Sequence, residues 1–325
     1  MPAELLRVEN LKTYFPTPNG VVKAVDGVSF SVAEGEVLGL VGESGSGKSM
    51  TCRSIMRLLP SSARIEGGKV CFRDKSVLDL SEQQLTSWRG AEVAMILQEP
   101  MTALNPVLTI GEQIVETIVQ HEGVSRGEAH MRAVDALRRV GIPAAGRRVD
   151  EYPHQFSGGM RQRAMIAIAL ACRPKLLLAD EPTTALDVTV QDQIIRLVQD
   201  VQRELGMSVI WVTHDLGVVA QLCDRVAVMY AGRIVELADV ADLYEASRHP
   251  YTRGLMESVP SGSVRGRGLI PIPGQPPDLL DLPTGCAFTP RCRYATDQCS
   301  TTDPPLRSVT PGHSSACLRF EEIWA

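Results

Sequence analysis

Eight residues constrain this chain more than any others: Gly42-Glu43-Ser44-Gly45-Ser46-Gly47-Lys48-Ser49, which fit G-x-x-x-x-G-K-[ST]. They follow the apolar run Glu36–Val41 and precede a helix-compatible segment, Met50 to Leu59. Buried strand, glycine-rich loop and helix is the context in which such a loop binds polyphosphate. Small residues let successive backbone N–H groups converge on phosphate oxygens, and Gly42, Gly45 and Gly47 leave room for that approach. The helix after the loop, opening at Met50, turns its positive end to the same place. Lys48 adds a cation for the β- and γ-phosphates, and the Ser49 hydroxyl is a ligand for Mg²⁺. Glu43, Ser44 and Ser46 complete the expected phosphate cradle.

The loop demands a sizeable α/β domain, and 325 residues provide one with material left over for a smaller unit. A hydrophobic fraction of 44% with 22% charged residues is that of a soluble globular protein. The formal net charge of −5, with no basic block, argues against a nucleic-acid partner. No apolar run has the length of a membrane span, and Met1–Asn10, with Glu4, Arg7 and Glu9, does not read as a signal peptide. The expectation is a cytosolic chain that reaches a membrane only through partners.

Residues 5–97 read mostly as strands: Leu6–Leu11, Val22–Ala24, Ser29–Val32, Val37–Val41, Val70–Phe72 and Val93–Leu97. From about 98 to 164 the pattern is helical. Ser125 and Glu128 form a capping box that opens a run ended by Gly141. Alternation of strand and helix then returns: strand Leu176–Ala179, a helix capped by Asp187 and ended by Gly206, and strand Val209–Val212. Arg225–Tyr230 and Arg233–Leu237 read as a hairpin over Ala231-Gly232. One or two helices cover 239–258, and prolines between Val259 and Pro283 suggest an extended linker. Cys52, Cys71, Cys172 and Cys223 lie among apolar neighbours and read as buried reduced thiols.

Two further motifs extend the phosphate chemistry. Lys175–Glu181 is a buried strand ending in two carboxylates. Asp180 would hold Mg²⁺ beside Ser49, and Glu181, one residue on, suits a general base that polarises the attacking water. Phe156-Ser157-Gly158-Gly159-Met160-Arg161-Gln162 opens an apolar helix. Ser157 is a natural N-cap, and Gly158 and Gly159 bare a second anion-binding set of N–H groups.

With these motifs in order, the chain resembles the ATP-binding-cassette family over residues 1 to about 240. Ser157-Gly158-Gly159-Met160-Arg161-Gln162 is similar to the signature sequence. Gln98 matches the glutamine that touches Mg²⁺ and the attacking water, Ala185-Leu186-Asp187 the D-loop, and His214 the histidine that senses the γ-phosphate. Phe15, with Tyr14 as second choice, matches the aromatic that stacks on adenine. The resemblance implies a RecA-like P-loop NTPase core with an antiparallel β subdomain and a helical insert. It also implies head-to-tail pairing with a second cassette, a copy of itself or a paralogue, whose ATP meets this chain's signature residues.

The remaining residues, 241–325, resemble the C-terminal extension of dipeptide and oligopeptide importer ATPases, through His249-Pro250-Tyr251 and through Cys286-Ala287-Phe288-Thr289-Pro290-Arg291-Cys292. Such a subunit would work at the cytoplasmic face of the membrane with two permease subunits and an external solute-binding protein. Importers of nickel or other small solutes share this ATPase branch, and a non-transport cassette ATPase is the more distant alternative. Cys286, Cys292, Cys299 and Cys317 lack the paired C-x-x-C of structural zinc sites. Four thiolates from one short segment could enclose a [4Fe-4S] cluster or a tetrahedral Zn²⁺, with His313 as a stand-in, or could be unliganded. The resemblance favours the cluster.

Overall fold

The computed structural model describes residues 3–184, 187–258 and 271–324. The expected D-loop residues Ala185 and Leu186, and the first part of the expected linker (259–270), lie outside the described residues. The chain divides into two compact units, one built mainly from Asp79–Val212 and one from Glu4–Val32, Val37–Leu78 and Thr213–Ala325.

The chain enters the second of these through two long strands, β1 (Glu4–Thr17) and β2 (Gly20–Ala33). The sequence suggests two short strands where β2 runs unbroken. Gly27 takes a φ of 83° within β2 without ending the strand. β3 (Val37–Val41) is buried along its whole length and delivers the glycine loop to α1 (Lys48–Ile55). β4 (Arg64–Phe72) and the short β5 (Lys75–Ser76) complete an antiparallel sheet of order β2-β1-β4-β5.

The other unit opens with α2 (Glu82–Trp88), in a stretch that reads as strand. Ser81 and Gln84 form a full capping box there, and Leu85 and Trp88 are its buried residues. After β6 (Val93–Ile96) come α3 (Pro100–Ala103), α4 (Ile110–Glu122), α5 (Arg126–Arg139), α6 (Ala145–Arg148) and α7 (Gly158–Leu170). In α5, Ser125 accepts from the Glu128 N–H, while Ala129, Ala133 and Leu137 point inward at helical spacing. β7 (Leu176–Asp180), α8 (Val188–Leu205) and β8 (Ser208–Thr213) follow, with Asp187 capping α8 and Gly206 ending it at a φ of 60°. β6 and β8 each pair in parallel with β7 between them, and β7 and β8 are entirely buried.

The chain then returns to the first sheet-bearing unit with α9 (Leu216–Leu222), β9 (Arg225–Tyr230) and β10 (Arg233–Asp239). The hairpin turns over Ala231 and Gly232, both at positive φ as a two-residue primed turn requires. α10 (Val240–Ala246) and α11 (Pro250–Glu257) lead to α12 (Asp297–Thr301), β11 (Arg307–Thr310), β12 (His313–Ser315) and α13 (Phe320–Ile323). β3 pairs in parallel with β9, and β12 pairs with β10, so the chain's last strands extend the sheet that carries the glycine loop. The polar sequences of β11 and β12 carry no strand signal.

Around α9, β9 and β10 a core gathers Val226, Val228, Tyr230, Tyr251 and Phe288, joining the cysteine-bearing segment to the sheet. Of the four scattered cysteines only Cys52 is fully buried; Cys71, Cys172 and Cys223 are half-buried, and none of the eight cysteines is in a disulfide.

Candidate functional site

The glycine loop is shaped by what lies beneath it. Gly42 has a φ of 154° and Gly47 one of 103°. A Cβ on Gly42 would lie 2.2 Å from the Met229 carbonyl oxygen, and one on Gly47 would lie 2.3 Å from that of Ala24. Gly47 is the N-cap of α1 and supplies no side chain, so the first turn keeps its N–H groups for a ligand. Lys48 is 5% exposed, and its ammonium donates to the carbonyls of Gly42 (2.8 Å) and Glu43 (2.9 Å). The Ser46 hydroxyl is buried with no hydrogen-bond partner, a polar atom that a bound ligand would satisfy. Ser44 and Gly45 are exposed at the tip; Ser49 and Met50 are half-buried in the first turn of α1.

Glu43 faces a different way. Its N–H donates to the hydroxyl of Tyr251 (2.8 Å), and its carboxylate takes both terminal nitrogens of Arg291 at 2.6 and 2.9 Å. His214 is exposed and, with Gly42 and Glu43, lines a cavity of about 330 Å³ whose other walls include Leu255 and Ile272. The structure thus brings the expected γ-phosphate histidine to the start of the loop.

Tyr14 and Phe15 separate by role. The Tyr14 hydroxyl donates to Asp26 at 2.6 Å, and Asp26 also receives two nitrogens of Arg233. Burial, then Asp26, raise the Tyr14 pKa, so the phenol stays protonated and structural. The Phe15 ring, the aromatic expected to stack on adenine, is half-buried.

In the other unit, Asp180 ends β7 and is 1% exposed. Glu181 follows at a φ of 45°, in a region a non-glycine residue occupies only at a cost of about 1–3 kcal/mol. Its carboxylate accepts from Gln98 Nε2 (3.2 Å) and from the Thr184 hydroxyl (2.9 Å). Ser157 caps α7 by accepting from the Met160 N–H, and Ser157 and Gly158 are exposed. A Cβ on Gly158 would meet open space. Arg161 and Gln162 turn inward instead. Arg161 Nε donates to the Pro153 carbonyl (2.7 Å), and the buried Gln162 amide donates to the carbonyl of Pro182, next to Glu181. Asp187 accepts from the Val190 N–H at 2.9 Å.

Cys286, Cys292, Cys299 and Cys317 all line one small cavity, walled by Phe288, Tyr294 and Ile323 among others. Burial raises the pKa of Cys286, Cys292 and Cys317, the last to about 12, and each also feels the charge of other members of the set. Among the described residues, no three His, Cys, Asp or Glu side chains are gathered as a single metal ion would need. His313 is no stand-in for a thiol: its Nε2 lies 2.7 Å from the buried carboxylate of Glu236.

Sequence reasoning missed Tyr251 and Arg291 as loop contacts. Both lie in motifs that carry the family resemblance of the tail, but nothing in their spacing points to Glu43. Thr184, a partner of Glu181, lies three residues downstream of it and leaves no signal of its own.

Comparison with known proteins gives the following. The model of the family described as ABC transporter matches residues 25–184, and that of the oligopeptide/dipeptide transporter C-terminal region matches residues 235–299. A probable peptide ABC transporter ATP-binding protein of Sinorhizobium fredii is 52% identical over 98% of this chain and 96% of its own length. An oligopeptide transport ATP-binding protein of Salmonella typhimurium is 49% identical over 98% and 95%, and a dipeptide transport ATP-binding protein of Bacillus subtilis is 49% identical over 97% and 94%. Among solved structures, a dimeric ATP-binding cassette in a post-hydrolysis state bound to ADP and phosphate matches with a TM-score of 0.66 and 28% identity. It covers 73% of this chain and 99% of that one.

Proposed function

Since the chain belongs to the ABC transporter family, we propose that it is the ATP-hydrolysing subunit of an importer of di- and oligopeptides. The observation that carries the reading is the pairing, in one chain, of the ABC match at 25–184 with the peptide-transporter C-terminal match at 235–299. No helix among the described residues is long and apolar enough to cross a membrane. In the importer reading the subunit docks from the cytoplasmic side onto two permease subunits, with an external solute-binding protein supplying peptide.

In this reading ATP is held by the loop around Lys48 and stacked on Phe15, and Glu181 accepts the proton of the attacking water. Gln98 orients that carboxylate and the water, and His214 contacts the γ-phosphate. Mg²⁺ would be held by Ser49, Asp180 and Gln98, hard oxygen donors of the kind it prefers, and would neutralise charge on the β- and γ-oxygens. Ser157, Gly158 and Gly159 serve the nucleotide of a second cassette, with Asp187 at the same interface. The open face of Gly158 supports that outward role. Residues 1–240 form the nucleotide-binding domain, with the signature subdomain at about 98–164, and 241–325 form the peptide-transporter extension.

For the four cysteines the family resemblance alone favours a thiolate-bound [4Fe-4S] cluster over zinc. All four line one cavity, although among the described residues no three are gathered as a bound metal would need. Cys286, Cys292, Cys299 and Cys317 would be its ligands, and the group would tie the tail together and carry an electron if it is redox-active. Protein purified without oxygen should contain about four irons and four sulfides per chain; one zinc, or no metal, would overturn this assignment.

Transport tests the whole reading. The chain, reconstituted with its permeases and binding protein in proteoliposomes, should accumulate labelled di- or oligopeptide in an ATP-dependent manner. Uptake of nickel without peptide would assign it to the other branch.

A further inference from the structure

We infer that Tyr251 and Arg291 are positioning residues for the phosphate loop, and that through them the C-terminal extension sets the affinity of this subunit for ATP. The inference rests on the ATP-binding role proposed for Lys48 and its loop.

Glu43 is gripped at each of its polar ends. Its N–H goes to Tyr251 Oη at 2.8 Å, its carbonyl receives Lys48 Nζ at 2.9 Å, and its carboxylate makes a two-pronged ion pair with Arg291. Two of these three partners come from the tail. Neither is loosely placed. Tyr251 is fully buried, its ring 4.6 Å from that of Tyr230 and 5.4 Å from that of Phe288. The Arg291 side chain is 3% exposed. Its Nε donates to the Pro273 carbonyl at 2.8 Å, and its guanidinium lies 5.8 Å from the Tyr230 ring centroid and 6.0 Å from that of Phe288. The hydrogen bond to Glu43 raises the Arg291 pKa, and the group remains a cation throughout the accessible pH range.

A buried guanidinium is costly unless paired, and a forked pair to a carboxylate fixes direction as well as distance. Here the fixed carboxylate belongs to the second residue of the phosphate loop. The Glu43 N–H is also committed to Tyr251, so this residue forms the tail-facing side of the loop and not part of the phosphate cradle. Gly42, one residue earlier, and Ser46, three later, are packed tightly against each other, with a Cβ on Gly42 only 2.8 Å from Ser46 Oγ. A shift of Glu43 therefore moves the residues that frame the anion. If the tail keeps the loop in its binding-competent form, its release lowers the competent fraction. Apparent affinity falls by that fraction, while turnover at saturating ATP is preserved.

The test uses the full chain, with Mg-ATP binding measured by calorimetry, and the reconstituted complex for steady-state kinetics. Tyr251→Phe keeps the packed ring and removes only the hydroxyl. It should weaken Mg-ATP binding about fivefold, in the range of one lost hydrogen bond, and leave kcat within about twofold. Arg291→Gln should weaken binding at least tenfold, with Arg291→Lys restoring part of the loss because lysine keeps the charge and forfeits the fork. Combining Glu43→Gln with Arg291→Gln should cost less than the two single losses summed. The inference is overturned if Tyr251→Phe leaves ATP affinity unchanged, or if the variants lower kcat and melting temperature with KM unmoved. Should Arg291→Gln fail to fold, Tyr251→Phe and Arg291→Lys still decide. A wild-type chain that binds no Mg-ATP would instead sink the nucleotide assignment itself.

Discussion

Gln98 Nε2 lies 3.2 Å from Glu181 Oε2, across 83 residues of sequence. The parallel pairing of β6 with β7 sets Ile96 beside Ala179, so the residues just beyond both strand ends emerge together. Sheet register thus delivers an amide donor to the carboxylate assigned as base. Glu181→Gln is isosteric and removes the proton acceptor. Turnover should fall about 10²–10⁴-fold, with Mg-ATP affinity within a fewfold of wild type. Single-turnover hydrolysis at the wild-type rate would rule out Glu181 as the base.

The glycine loop predicts a sharper failure. Gly47→Ala combines a φ of 103° with a Cβ 2.3 Å from the Ala24 carbonyl. The added methyl should cost about 1–3 kcal/mol of stability through backbone strain alone and reduce Mg-ATP binding by at least an order of magnitude. Unfolding midpoints and equilibrium binding on the same preparation would check both, and wild-type affinity would mean that the loop does not cradle phosphate.

Tyr14 and Phe15 should part company under mutation. Phe15→Ala removes the proposed adenine platform and should weaken ATP about two- to tenfold, with little loss of stability. Tyr14→Phe breaks the 2.6 Å hydrogen bond to Asp26 and should cost about 1 kcal/mol of stability, with ATP binding intact. The reverse pattern would exchange their assignments.

His249 predicts an acid-sensitive tail. Burial lowers its pKa to about 3, and its Nδ1 accepts from the Tyr251 N–H at 3.1 Å, a role only the unprotonated nitrogen can fill. Below about pH 6.5 the unfolded chain takes up a proton that the folded chain refuses, so stability falls as the pH drops from there towards 3. The slope is about 1.4 kcal/mol per pH unit at most. His249→Asn should flatten the thermal-unfolding profile between pH 6.5 and 5; an unchanged slope would place the sensitivity elsewhere.

The parts of the fold that sequence reveals are those where local chemistry and tertiary packing agree. Ala231-Gly232, the Ser125 cap and Gly206 each satisfy a backbone demand in place, and each occurs where its residue type suggests. The phosphate loop and the carboxylates after β7 are legible for the same reason, since their spacing is their chemistry. α2 shows the limit: its capping box is present, but it is one short helix in a stretch dominated by strand-forming residues. β11 and β12 are polar and become strands only because β10 offers an edge. The links from Tyr251 and Arg291 to Glu43 span 208 and 248 residues, and a contact made by folding alone leaves no local pattern.

The floor under the glycine loop has a genetic consequence. What a side chain at Gly42 or Gly47 would strike is the carbonyl oxygen of Met229 or Ala24, and every residue type carries that same oxygen. No exchange of residue at 229 or 24 makes the obstacle smaller. Revertants of loop-glycine mutants should therefore arise by restoring glycine, and compensating substitutions beneath the loop should be missing from any suppressor screen.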